Sequence, residues 1–228
     1  MTPRPACPVR RGVLLAAAAL LALPPVRAWM LRWGATSAEV TGPVPGDDLL
    51  PGADLVSTRA ITIDARAEDV WGWIAQLGQG RGGFYSYDRL ENLVGCDIRS
   101  SGTIVPAWQD VAVGDAVHLH PDVALTVVQV EPGRSLVLRG AVPVGGADSP
   151  APPPYDFTWA FTLRGGTNGT DGADGSDGST RLVVRERYAY LRRSAALIVE
   201  PVSAVSWFMS QRMLRGIKER AEALTRTR

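Results

Sequence analysis

The chain has 228 residues, 46% apolar and 21% charged, with a net charge of +1. This composition excludes a mostly disordered chain, a collagen-like repeat and a multi-span membrane protein, and the length suits one domain with appendages. The charge is uneven: residues 1–33 carry five Arg and no acid, residues 34–180 eight Arg against 19 acids, and residues 181–228 eleven basic residues against four Glu. A basic tail of this kind meets an anionic partner, packs on the acidic middle, or forms a solvated helix face.

Two cysteines, Cys7 and Cys96, exclude a disulfide framework and a Cys-x-x-Cys metal site. The two histidines, His118 and His120, have no clustered third ligand, so neither a catalytic zinc nor another metal or cofactor is expected. No nucleic-acid-binding signature is present.

In chain order, Arg4, Arg10 and Arg11 precede an unbroken apolar run, Gly12 to Leu23, which Pro24-Pro25 ends. As a helix the run spans about 18 Å against about 30 Å of bilayer hydrocarbon. Residues 1–33 are therefore expected to be a signal or membrane-anchor segment. The alternatives are a cleaved signal, cut after Ala28, and an anchor with Arg27, Trp29, Arg32 and Trp33 at the interface. The positive-inside rule then places the folded domain on the extracytoplasmic side; a cytoplasmic location is the alternative. Residues 34–54, with Pro43, Pro45, Gly46 and Pro51, read as a Pro/Gly-rich linker.

Residues 55–63 read as a first strand. Asp64 is a plausible N-cap for an amphipathic helix in which Val70, Trp73, Ile74 and Leu77 recur at i, i+3, i+4 and i+7. Gly78 ends it, and Tyr85 to Val94 suggests a second short helix. From about Asp115 the period changes to two, giving candidate strands at 116–120, 125–131, 135–140, 156–163 and 181–190. The Gly/Asp/Thr-rich stretch from Gly165 to Thr180 reads as a mobile hairpin loop; its Asp171, Asp174 and Asp177 lack calcium-loop spacing, and Asn168-Gly-Thr is a formal sequon. A long amphipathic helix is expected from about 201 to 225, with Val202, Val205, Met209, Met213, Ile217 and Ala221 on one face.

The order strand, helix, helix, antiparallel strands, long helix requires the last helix to bury its stripe on a sheet. The run from Ala60 to Asp64, Val70-Trp71-Gly72-Trp73-Ile74, Gly78 to Leu93, and Ser206 to Lys218 resemble an uncharacterised bacterial subgroup of the START-like (SRPBCC) superfamily, over about residues 55–225 of a domain expected at 55–228. The resemblance implies an α+β helix-grip fold: a curved antiparallel sheet of six or seven strands around a long C-terminal helix, with two short helices after the first strand. It also implies a cavity between sheet and helix for a small hydrophobic or lipid-like ligand. A polyketide cyclase/dehydratase-like enzyme is the alternative; superfamily members do both, so fold alone does not decide.

Within that frame, strand 181–190 puts Leu182, Val184, Glu186, Tyr188 and Tyr190 on one face and Arg181, Val183, Arg185 and Arg187 on the other. Glu186 is thus expected to face the cavity as an acid/base group, a ligand anchor or half of an ion pair, with Arg139, Tyr85 or a histidine as partner. The Arg-rich face is expected to be solvated. Trp159 belongs to an aromatic strand face that reads as core and cavity wall. Tyr85 and Tyr87 are expected at the cavity mouth, Trp108 as a lid residue, and Met209 and Met213 as an adaptable lining. The histidine face is either a source of a base or the convex, solvated one.

Overall fold

The computed structural model describes residues 23–93, 95–143, 153–165 and 178–227. The Arg4–Arg11 region, Cys7, the apolar run up to Ala22 and the Asp171, Asp174, Asp177 and Asn168 features lie outside the described residues. The described elements are α1 (Pro24–Leu31), α2 (Ser37–Thr41), β1 (Leu55–Ile63), α3 (Ala67–Ala75), α4 (Asp88–Leu93), β2 (Ala116–His120), β3 (Val123–Glu131), β4 (Ser135–Pro143), β5 (Tyr155–Gly165), β6 (Thr180–Tyr190) and α5 (Ala196–Thr227).

The six strands form one curved antiparallel sheet in the order β1-β6-β5-β4-β3-β2. The two-residue period does what it should: Phe157, Phe161, Leu163, Leu182 and Val184 face the concave side and join one buried cluster with Val70, Trp73 and Ile74 of α3 and Met213, Leu214 and Ile217 of α5. The sheet therefore grips the second half of α5, where Met213, Ile217 and Ala221 of the expected stripe are buried, whereas Val202 and Val205 at its start are exposed instead.

Three local expectations are corrected. The first helix starts after Arg66 rather than at an Asp64 cap, and no side chain caps it. The backbone N–H of Asp64 instead donates to Glu222 of α5, 3.0 Å away. The second helix begins at Asp88, because Tyr85 takes a left-handed φ of 56° that no helix admits. And α5 is 32 residues long, running through Pro201. Pro201 lies beyond the first turn, so the helix continues through it at the cost of the N–H bond to the Leu197 carbonyl.

The Arg-rich face of β6 is not solvated. Residues 34–52 lie across the convex side of the sheet as a strap. Val44 and Leu50 are buried, and Val44 packs with Val137 and Ala160 in a second apolar cluster. Arg185 donates to Asp47, to the carbonyls of Glu39, Val40 and Gly42, and to Thr58. Arg187 reaches Asp47 and the Leu50 carbonyl, and Arg181 pairs with Glu39 at 2.7 Å. Burial alone would raise the Glu39 carboxyl, but the Arg181 bond and the Thr36 backbone N–H hold it below its ordinary value. A stretch whose composition reads as a linker thus serves as a second layer on the sheet.

Helix α1 is also docked. Met30 is buried, Arg27 pairs with Glu200 of α5 at 2.6 Å, Trp29 meets Trp207, and Arg215 lies over Trp33. Among the described residues, no helix is long and apolar enough to cross a membrane.

Candidate ligand cavity

A cavity of about 300 Å³ lies between the concave sheet face, the segment 84–98 and α5. Its wall is mostly aromatic and aliphatic: Phe84, Tyr155, Phe157, Trp159 and Tyr188, with Ile98, Leu119, Val202, Met209 and Met213. Few polar groups reach it, namely Ser86, Glu91, Cys96, Glu186, Ser206 and Ser210. This is the composition of a small-molecule pocket, apolar with a handful of placed polar atoms.

The expected face assignment of Glu186 holds, and the expected partners do not. Glu186 pairs with Arg59 of β1 at 3.0 Å, with both side chains almost fully buried. Ser57, directly opposite on β1, and Ser206 and Ser210 of α5 donate to the same carboxylate. Burial would raise the Glu186 carboxyl, but the Arg59 charge and these hydroxyls more than offset it and hold the pKa below its ordinary value. Arg139 is engaged elsewhere, with Asp156 at 2.8 Å.

Trp159, Tyr188, Met209 and Met213 line the cavity as expected; Tyr85, Tyr87 and Trp108 do not. Tyr85 is a buried tie between α3 and α5. Its hydroxyl donates to the Trp73 carbonyl and accepts from Gln76, and burial pushes it up to about 12. Its backbone lies so close to Gly216 of α5 that a Cβ there would sit 2.2 Å from the Tyr85 carbonyl oxygen. Tyr87 stacks on Phe208 outside the cavity, with centroids 4.6 Å apart. Trp108 ends a short 3-10 turn, and its carbonyl accepts from Arg81. Neither histidine lines the cavity; Leu119, between them, does. No group of three or more potential metal ligands occurs among the described residues.

The residue that sequence reasoning missed is Glu91. It sits on α4, is 9% exposed, and its Oε2 has no hydrogen-bond partner among the described residues. Burial, and secondarily Asp88, raise its pKa to about 7. Cys96 is a free thiol on the same wall, and its pKa is raised by burial and then by Glu91. The pattern Asp88-Arg-Leu-Glu-Asn-Leu93 offers no sequence signal for this, because a Glu on a short helix ordinarily faces water.

A strap-backed antiparallel sheet closed over a C-terminal helix, with a cavity between them, decides the architecture. The chain has a helix-grip α+β fold. No family model matches the sequence, and no curated protein matches it. Solved structures with loose overall likeness include protein MLL2253 from Mesorhizobium loti, 14% identical, covering 76% of this chain and 99% of that one at a TM-score of 0.40. CalU16 from Micromonospora echinospora is 16% identical, with coverage of 74% and 84% and a TM-score of 0.33. Norcoclaurine synthase from Thalictrum flavum, in complex with dopamine and hydroxybenzaldehyde, is 15% identical, with coverage of 72% and 87% and a TM-score of 0.40. The fold assignment rests on the sheet order and the gripped helix, not on these likenesses.

Proposed function

We propose that this helix-grip domain binds a small hydrophobic or lipid-like molecule between sheet and α5. The observation that carries the reading is the apolar, aromatic-walled cavity of about 300 Å³. In its prominent charged pair the Glu186 carboxylate already takes Arg59 and three hydroxyls, and so is poorly suited to acid/base work. Binding is therefore favoured over cyclase or dehydratase chemistry that uses Glu186.

The same reading puts the cavity next to a membrane. Leu197, Ile198, Val202, Val205 and Phe208 are exposed along one side of the first half of α5, and Val202 also lines the cavity. Arg192 and Arg193 are exposed immediately before that helix. An exposed apolar stripe beside a basic pair suits an anionic lipid surface, and the Gly12–Leu23 run would add a tether.

Binding is tested with the neutral dye N-phenyl-naphthylamine. Saturable fluorescence enhancement that disappears in Met209→Trp, while circular dichroism remains that of the folded chain, supports the reading; no enhancement refutes it. The membrane part is tested by flotation with phosphatidylglycerol vesicles of a chain beginning at Leu23. Binding reduced by Leu197→Asp and Phe208→Asp is expected, and a chain that never floats refutes the docking stripe.

A further inference from the structure

Among the described residues, Glu91 is a carboxylate on the cavity wall with an oxygen, Oε2, that no protein donor reaches. Glu186 takes one guanidinium and three hydroxyls. The Ser86 hydroxyl is spent on the Met209 carbonyl, 3.1 Å away. Glu91 Oε2, by contrast, is buried without a donor among the described residues. On the same wall Trp159 shows the converse, an indole N–H that is buried without an acceptor. Leaving such groups unmatched costs about 1–3 kcal/mol each, which a ligand recovers when a small side-chain rotation turns either atom into the cavity that both residues line.

From these groups we infer that the ligand is an apolar alcohol whose hydroxyl is held by the Glu91 carboxyl. The inference rests on the cavity-binding reading and adds the head group. A carboxyl accepts hydrogen bonds whether ionised or protonated, and it donates only when protonated. A head group that donates therefore suits both states. A hydroxyl also accepts, which matches the chemistry of the Trp159 N–H; an ammonium cannot accept and a ketone cannot donate. The rest of the wall, Phe84, Phe157, Met209 and Met213 among it, takes the hydrocarbon. The raised Glu91 pKa agrees with a carboxyl that lacks a protein partner, the nearby titratable groups being Asp88 and Cys96, with Tyr155, Tyr188 and the paired Glu186 elsewhere on the wall.

The test is displacement of N-phenyl-naphthylamine from the full chain by decanol, undecane, decylamine and methyl nonyl ketone, which share size and differ in head group. Wild type is expected to bind decanol at least about tenfold more tightly than undecane, as one hydrogen bond to a carboxyl allows. Glu91→Leu should lose that preference while keeping its affinity for undecane. Decanol no tighter than undecane in wild type overturns the inference, and so does a ketone or an amine that outbinds the alcohol. These outcomes leave apolar binding standing. A chain that binds neither dye nor any competitor overturns the cavity reading itself and this inference with it. The preference is read in wild type, so it does not depend on the variant folding; Glu91→Gln, closer in shape, is the second variant, expected to retain part of the preference for decanol.

Discussion

Arg59 and Glu186 form an ion pair of 3.0 Å across neighbouring strands, their side chains only 1% and 4% exposed. Both lie on the concave face, because Ser57 pairs directly with Glu186 and Arg59 sits two residues further along β1. Arg59 also donates to the Met30 carbonyl, so the pair links β1, β6, α5 and the end of α1. Removing one charge strands the other. Glu186→Gln is expected to lower stability by about 3–5 kcal/mol in urea unfolding, and Arg59→Met combined with Glu186→Leu to recover much of that loss. Because the Glu186 pKa is depressed below 4.5, its contribution is present above that value and disappears as pH falls through the lower folded-state pKa. A Gln variant as stable as wild type would show that the pair contributes nothing net.

Glu91 has the opposite linkage. Its carboxyl is raised from 4.5 to about 7, so between those values the folded chain keeps a proton that the unfolded chain has released. Stability therefore falls as pH rises through this window, by about 3 kcal/mol at full ionisation. Glu91→Gln should abolish this part of the slope. Urea midpoints of both chains, compared at about pH 5 and about pH 8, check it: the variant should gain on wild type as pH rises.

Cys96 offers a chemical readout of the same site. Burial and then the neighbouring Glu91 raise its pKa, which keeps the thiolate scarce at neutral pH. Glu91→Gln is expected to speed iodoacetamide alkylation of Cys96 in a chain that begins at Leu23 and so lacks Cys7. A bound alcohol should slow it in wild type. Equal alkylation rates with and without Glu91 would detach the thiol from that carboxyl.

Much of this fold was legible in the sequence, for a physical reason. Alternation on β5 and β6 and the stripe on α5 report which residues leave water, and burial of those residues builds the sheet and the grip. Alternation does not report what covers the other face. Arg185 and Arg187 read as solvated because their partners, Asp47 and backbone carbonyls in a Pro/Gly-rich stretch, lie about 140 residues away in sequence and carry no periodic signal. The cavity residues divide likewise. Trp159, Glu186 and Tyr188 follow from strand parity, whereas Glu91, Cys96 and Ser206 come together only when α4 and α5 pack on the sheet. Tyr85 misled because an aromatic in a glycine-rich turn suits a mouth or a tie equally, and only its close approach to Gly216 decides.

The strap can be tested at Asp47, whose two carboxylate oxygens take Arg185 and Arg187 and which also accepts from the Val44 N–H. Asp47→Ala leaves the nearly buried Arg185 charge with carbonyls and Thr58 alone. A loss of about 2–4 kcal/mol is expected, together with proteolysis within residues 34–52 ahead of the rest of the chain. A strap that merely rested on the sheet would show less than about 1 kcal/mol.

The position at which the N-terminal segment can be cut follows from the docking of α1. Residues 24–33 supply the buried Met30, the Met30 carbonyl that accepts from Arg59, the Arg27–Glu200 pair and the Trp29–Trp207 contact. A chain beginning at Leu23 keeps all of these; one beginning at Gly34 loses them and leaves Arg59 with a further unmet N–H beside its already unpartnered Nη2. Burial of Met30 alone is worth about 2 kcal/mol, and the lost acceptor adds about 1–3 kcal/mol. The Gly34 chain should therefore melt several degrees below the Leu23 chain in a calorimetric scan. A chain beginning at Trp29, as cleavage after Ala28 would leave, should fall between them, because it keeps Met30 and Trp29 but loses Arg27, whose pair with Glu200 is partly exposed and contributes at most about 1 kcal/mol. If the Gly34 chain melts with the Leu23 chain, α1 is an appendage on α5 and the N-terminal boundary of the domain lies at the strap.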